Sequence, residues 1–432
     1  MDQELRKKAL EYHSKGKPGK VGIVSTKPCD TQEELSLTYT PGVASPCVEI
    51  KENLEEVWKY TGKGNSVAVV TDGSAVLGLG NLGAEAALPV MEGKCVLFKK
   101  FAGIDAYPIC VRESEKIMET VRQIEPTFGG INLEDIKAPE CFAIEQALKK
   151  EISIPVFHDD QHGTAIISLA GLMNGLEMAG KKIGDIKVVF SGAGAAGIAC
   201  ARYYESAGVR HENLILTDRK GVVYKGRDGI NAQKEYFAQD TEKRDLSDAM
   251  EGADVFVGVS AGGIVTKEMV QSMAEKPILY PMANPIPEIY PHEAKEAGAY
   301  IVGTGRSDFP NQINNVLGFP GIFRGALDVR ASDINEGMKI GASRALAEIV
   351  KEKVPEDVKN YLMKAYPNDG EAGMFEGKNP LKADYVIPKP LDPRVVPRVA
   401  RYVAEAAMKS GVAKVNIDDL EGYEKEVAQR VR

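Results

Sequence analysis

No stretch of about 18 consecutive apolar residues occurs in the chain, so no transmembrane helix is expected. The amino terminus, Met1-Asp2-Gln3-Glu4-Leu5-Arg6-Lys7-Lys8, lacks the apolar core that a secretory signal needs. Cysteine is sparse. Cys29, Cys47, Cys95, Cys110, Cys141 and Cys200 form no C-x-x-C pair, and in a chain of this size reduced thiols are the expectation. These absences point to a cytoplasmic protein. Surplus positive charge is missing too: the formal net charge is -8, which disfavours nucleic acid or an anionic membrane as partner. His158 and His162 have the i, i+4 spacing of H-E-x-x-H but enclose Asp159, Asp160 and Gln161, without the glutamate. A zinc site is therefore not expected there, and structural, hydrogen-bonded histidines are. There is no internal repeat and no long low-complexity segment.

What remains is an ordinary globular composition, 44% hydrophobic and 27% charged over 432 residues, enough for two or three domains. The first twenty or so residues read as an amphipathic helix, with Leu5, Ala9 and Tyr12 on one face, packed on the body or on a second subunit. Short apolar runs follow at Val67–Val70, Cys95–Phe98 and Ile152–Phe157, with helical patterns between them, as in a parallel α/β unit. A long helical pattern from His162 to about Gly180 leads to further runs at 187–190, 213–216, 254–257, 278–280 and 300–302. The fold class is α/β: an N-terminal α/β substrate domain plus a doubly wound, Rossmann-like dinucleotide-binding domain. The expected bounds are 1–160 for the substrate and metal domain, 161–390 for the Rossmann-like domain and 391–432 for a helical tail.

Gly192-Ala193-Gly194-Ala195-Ala196-Gly197 is G-x-G-x-x-G, placed after a predicted strand and opening a predicted helix, Ala195 to about Ser206. The first glycine makes a tight turn, the second admits a pyrophosphate to the backbone, and the third lets helix and strand pack closely. Asp218 ends the next strand, about 20 residues on, where an acid binds the ribose 2′-hydroxyl. That favours NAD. Arg219 and Lys220 follow directly and could reach a 2′-phosphate, so NADP stays open. Ser260-Ala261-Gly262-Gly263, after a later strand, is either the nicotinamide-side turn or an ordinary strand-to-helix turn.

Two acidic pairs complete the pattern: Glu134-Asp135, and Asp159-Asp160 at a strand end. Carboxylates gathered at the carboxyl ends of parallel strands suit a hard divalent cation, Mg2+ or Mn2+. Each acid alone could equally be a helix cap, as Asp160 could be for the helix near His162.

These motifs, with others in the same order, resemble the malic enzyme family, in its short prokaryotic NAD(P)-dependent branch. The resemblance rests on Ser36-Leu37-Thr38-Tyr39-Thr40-Pro41-Gly42-Val43-Ala44, Val70–Ser74 with Leu77–Gly83, and Glu92-Gly93-Lys94. It continues through Leu133-Glu134-Asp135, Phe157–Ala165, Ala283-Asn284-Pro285 and Gln312–Gly321. It implies oxidative decarboxylation of (S)-malate to pyruvate and CO2. Glu134, Asp135 and Asp160 would hold the metal, with Asp159 a polar site residue beside them. Lys94 would be the general base and Tyr39 the general acid. Asn284 and Asn315, with Lys94, would hold substrate. Gly192, Gly194, Ala195, Ala196, Gly197, Asp218 and Asn284 would face the dinucleotide. The partners implied are malate and pyruvate, and the family is usually a homodimer or larger. Longer relatives carry an arginine near Gly78-Leu79-Gly80 that grips a malate carboxylate; here Ser74-Ala75-Val76-Leu77 has none. Three other readings are an oxaloacetate decarboxylase, a non-decarboxylating 2-hydroxy-acid dehydrogenase and a dinucleotide-sensing regulator.

Overall fold

The computed structural model describes residues 3–76 and 79–431, so Leu77 and Gly78 of the glycine-spaced motif lie outside the described residues. The chain forms two compact units: Met1–Ile136 with Gln146–Val156, and Lys137–Glu145 with Phe157–Arg432.

The smaller unit is built on β1, β2 and β3 of a four-stranded sheet in the order β2-β1-β3-β4, whose last strand begins in this unit at Val156. The strands are β1 (Ser66–Thr71), β2 (Asp105–Cys110), β3 (Gly130–Leu133) and β4 (Val156–His158). β1 is parallel to β2, pairing Val67 with Ala106, and to β3, pairing Val67 with Gly130. Every residue of β1 is buried, as a central parallel strand covered on both faces requires. β2 lies at the sheet edge, where Pro108 costs no ladder hydrogen bond. The run Cys95–Phe98 is not a strand. It belongs to the helix Ala84–Ala102, whose buried positions Ala87, Met91, Lys94, Cys95, Phe98 and Ala102 recur at helical spacing. The amino-terminal helix is present at Gln3–Ser14 but buries no side chain: Leu5 and Tyr12 remain exposed, so its apolar face is not packed on the body of this chain.

The larger unit carries a six-stranded sheet, order β10-β9-β8-β5-β6-β7. Its strands are β5 (Val188–Ser191), β6 (Leu214–Asp218), β7 (Gly221–Val222), β8 (Val255–Gly258), β9 (Ile278–Pro281) and β10 (Ile301–Val302). All neighbouring pairs are parallel except β6 with β7. β5, β8 and β9 are buried throughout, which is why each reads as an unbroken apolar run. From β5 the chain moves outward one way to β6 and the other way to β8 and beyond. That reversal opens a crevice at the carboxyl ends of β5 and β8, where doubly wound sheets bind ligands. The helix Asp159–Ala179 runs through the core, which explains its nearly continuous hydrophobicity. The tail stays with this unit: Val395–Lys409 packs on Phe319–Asp328 and Glu336–Ile349 and carries the last helix, Leu420–Arg430. No helix among the described residues is long and apolar enough to cross a membrane.

Candidate active site

The fingerprint loop sits at the end of β5. Gly192 has φ +112, which favours glycine, and its N–H donates to Thr217 O at 2.9 Å, tying the turn to β6. A Cβ on Gly197 would lie 1.8 Å from Gly192 O, so the helix Ala195–Ser206 approaches the turn as closely as a bare backbone allows. Gly194 is the N-cap of that helix, and a Cβ there would meet nothing within 4 Å. Its surroundings are open, and the first N–H groups of the helix, including those of Ala195 and Ala196, have no side-chain cap. An uncapped helix start beside an open glycine is suited to a pyrophosphate.

Asp218 closes β6, and its carboxylate is heavily used. Oδ2 accepts from Arg227 Nη2 at 2.5 Å and Lys234 Nζ at 2.6 Å, and Oδ1 accepts the Lys220 backbone N–H at 2.9 Å. Burial by itself would raise its pKa; the hydrogen bonds from Arg227 and Lys234 override that and hold it at about 2.

Across the crevice, one residue that sequence reasoning missed organises two loops. Glu288 is fully buried. Its Oε1 accepts the Ser260 N–H at 2.9 Å and its Oε2 accepts the Ala283 N–H at 3.0 Å, so it joins the turn after β8 to the segment before Asn284. Gly258 leaves room for it, since a Cβ there would fall 2.3 Å from the carboxyl carbon. The Ser260 hydroxyl lies 2.9 Å from that of Ser191 at the end of β5. Ser260–Gly263 is thus braced against the fingerprint strand. Burial pushes the Glu288 pKa up, against the pull of the two N–H donors. The one available clue was a lone charge inside Pro285-Ile286-Pro287-Glu288-Ile289. Glu288→Gln turns one acceptor into a donor facing an N–H. Dinucleotide affinity should fall about tenfold, from a penalty of about 1–3 kcal/mol, as read by calorimetric titration. Unchanged affinity would remove Glu288 from this role. Asn284 itself is exposed, its Nδ2 3.4 Å from Met282 O.

The larger unit also brings Asp159 and Asn315 together. Asn315 Nδ2 donates to Asp159 Oδ2 at 3.2 Å, and Thr164 Oγ1 donates to Asn315 Oδ1 at 3.2 Å. Gly163 makes this possible: a Cβ would lie 2.5 Å from Asp159 Oδ1 and 2.6 Å from Asn315 Cγ. Asp159 is fully buried, whereas the Asp160 side chain is 41% exposed. His162 is hydrogen-bonded as expected, with Nε2 2.9 Å from Glu145 Oε1 and Nδ1 3.3 Å from Lys339 Nζ. His158 departs from that expectation: it is buried, and neither ring nitrogen has a hydrogen-bond partner among the described residues, its Nδ1 lying 4.0 Å from Asp160 Oδ2.

In the smaller unit, Lys94 comes from the buried face of its helix and donates to Glu134 Oε1 at 2.8 Å, with both side chains under a tenth exposed. Asn132 Nδ2 donates to Glu134 Oε2 at 2.9 Å. Asp135, also buried, follows β3 with φ +52, a left-handed conformation uncommon outside glycine, and its carbonyl accepts the Ala75 N–H at 3.0 Å. Asp72 braces the turn above β1: Oδ1 accepts from Ser74 Oγ and Oδ2 from Ser114 Oγ. Tyr39, at the end of the helix Gln32–Thr38, is 72% exposed. Glu134 and Asp135 in this unit, and Asp160 in the larger one, each carry hard oxygen donors of the type that Mg2+ or Mn2+ takes. Among the described residues no three His, Cys, Asp or Glu side chains are already gathered as a metal site.

A doubly wound sheet with an intact fingerprint at its switch point, in one chain with a parallel α/β unit that holds a buried lysine–carboxylate pair, defines a dinucleotide-dependent oxidoreductase class of architecture. Comparison with known proteins narrows the class. Residues 18–115 and 111–149 match "Malic enzyme, N-terminal domain", and residues 161–362 match "Malic enzyme, NAD binding domain". The bifunctional malic/malolactic enzyme of Bacillus subtilis is 55% identical over 428 residues, 98% of this chain and 97% of that one. The NADP-dependent malic enzyme of Escherichia coli is 52% identical over 98% of this chain, which spans only 55% of that longer protein. The crystal structure of malic enzyme from Pyrococcus horikoshii superposes with a TM-score of 0.89 at 44% identity, covering 99% of this chain and 96% of that one. The chain belongs to the malic enzyme family.

Proposed function

We propose that this protein oxidatively decarboxylates (S)-malate to pyruvate and CO2 while reducing a nicotinamide dinucleotide. The observation that carries the reading is the buried Lys94–Glu134 pair at the end of β3, in a chain whose other unit presents an intact dinucleotide crevice. Lys94, in its neutral amine form and so after the proton it shares with Glu134 has been given up, accepts the proton of the malate C2 hydroxyl as hydride leaves C2 for the dinucleotide. Asn284 and Asn315 hold the substrate, and Asp159 orients Asn315 through the hydrogen bond at 3.2 Å. Glu134, Asp135 and Asp160 would hold a divalent ion, Mg2+ or Mn2+, which when bound polarises the substrate C2 oxygen and steadies negative charge on it. After CO2 leaves, Tyr39 donates a proton to C3, balancing the one that Lys94 took from oxygen. The homo-oligomer expected for the family accords with the exposed apolar side chains of Tyr12, Ile23, Val24, Leu35, Leu37 and Leu54.

Malate assayed with each dinucleotide, with and without Mg2+, Mn2+ or a chelator, should yield reduced cofactor and CO2 in equal amounts, and the chelator should abolish both. Reduced cofactor without CO2 would mean a non-decarboxylating dehydrogenase. CO2 from oxaloacetate alone, with no malate oxidation, would mean a lyase.

A further inference from the structure

Two loops of the larger unit carry the asparagines proposed to hold substrate, and a third runs between them. It follows β10, at residues 303–306. On one side Gly305 lies against Asn284: a Cβ on Gly305 would fall 2.9 Å from Asn284 Nδ2 and 3.3 Å from Met282 O. On the other side the Thr304 N–H donates to Asn311 O at 3.2 Å, and the Ile313 N–H donates to Thr304 O at 2.8 Å, close before Asn315. Arg306 ends this third loop and reaches back to the first, its Nη1 donating to Pro285 O at 2.9 Å. Asp308 fixes the guanidinium for that reach, accepting from Nε at 2.9 Å and from Nη2 at 2.7 Å. A guanidinium can serve a carboxylate with one edge and a carbonyl with the other at a set angle, which an ammonium cannot.

The Asn284 side chain is loosely held. It is exposed, and its Nδ2 stands 3.4 Å from Met282 O, beyond the usual range for such a bond. Its backbone is pinned from both directions: the Ala283 N–H donates to the buried Glu288, and Pro285 O accepts from Arg306. An anion takes the N–H before Asn284 and a cation takes the carbonyl after it. The side chains of Arg306 and Asp308 are 31% and 54% exposed, so their ion pair by itself contributes little to stability.

We propose that Arg306, oriented by Asp308, is a positioning residue that holds Asn284 at the substrate and keeps the Asn284 and Asn315 loops in register. The inference deepens the proposed function and rests on it through the substrate role of Asn284. Arg306 acts through Asn284 and not on the substrate. Gly305 is part of the same device, since only a residue without a Cβ lets the loop approach the Asn284 amide so closely.

The test combines amide hydrogen exchange with malate kinetics on the full chain. In Arg306→Ala, exchange in a peptide spanning residues 282–290 should quicken about tenfold or more, while the melting temperature stays within about 3 °C of the parent. The KM for malate should rise about tenfold with kcat changed by less than about threefold, as when binding made alike in ground and transition states is lost. In an Asn284→Ala background the same substitution should add little, because the residue it acts through is gone. Arg306→Lys should recover only part of the loss. Unchanged exchange in Arg306→Ala would overturn the clamp, whether or not malate is turned over. A KM effect that persists in full in the Asn284→Ala background would overturn the route through Asn284, and full recovery in Arg306→Lys would overturn the need for a guanidinium. A parent enzyme that does not oxidise malate would overturn the malate reading instead, and the exchange measurement would still decide the clamp.

Discussion

Lys94→Ala should reduce malate oxidation by on the order of 10²–10⁴-fold while dinucleotide binding survives, because the lysine is proposed to act on the substrate hydroxyl and belongs to the unit without the fingerprint loop. The substitution also has a structural cost. Lys94 and Glu134 are both buried, and taking away the ammonium strips the carboxylate of a charge partner at 2.8 Å, a loss of about 3–5 kcal/mol where such a pair is broken from one side. Activity must therefore be read beside thermal unfolding and dinucleotide titration. Pairing Lys94→Met with Glu134→Gln removes both charges together and should recover much of the stability without recovering turnover. A Lys94→Ala enzyme that stayed folded and turned over normally would take Lys94 out of the base role.

The second large effect belongs to Gly197→Ala. A methyl group 1.8 Å from Gly192 O cannot be accommodated by rotating a side chain, since the obstacle is backbone, and Val259 Cγ2 stands 3.4 Å away. Either the helix Ala195–Ser206 retreats from the turn or the turn deforms. Overpacking of this kind costs about 1–3 kcal/mol, and in a unit of this size each of those lowers the melting temperature by about 2–4 °C. Dinucleotide affinity should fall about a hundredfold, because the helix start no longer addresses the crevice. Gly194→Ala separates the two effects. Gly194 has φ -93 and an open Cβ position, so alanine fits without strain and the melting temperature should hold, while the added methyl occupies space proposed for the pyrophosphate. Equal melting temperatures for Gly197→Ala and the parent would contradict the packing argument.

The parts of the molecule that could be read from the chain share a feature: their physical demand is local. The fingerprint needs particular backbone freedom at three nearby glycines, and strands buried on both faces need unbroken apolar runs, as β5, β8 and β9 show. Where the demand was not local, reading failed. β3 carries Gly130 and Asn132, poor strand formers that the centre of the small sheet nonetheless tolerates. Cys95–Phe98 looked like a strand because four apolar residues in a row suit a strand and a buried helix alike. Only the surrounding spacing, with Ala87, Met91 and Ala102 buried in step, separates them. Glu288 is invisible to local pattern because its partners, Ser260 and Ala283, belong to two different loops.

From its sequence alone, this protein's fold class, its dinucleotide crevice and its family membership were determined, since each follows from short-range backbone geometry or from motifs kept in one order. Tertiary structure alone decided which charges meet: that Lys94 holds Glu134, that Glu288 braces the crevice, and that Asp218 is already held by Arg227 and Lys234. The reason is that a charge interacts across space with whatever the fold sets beside it, and separation along the chain does not say what that will be.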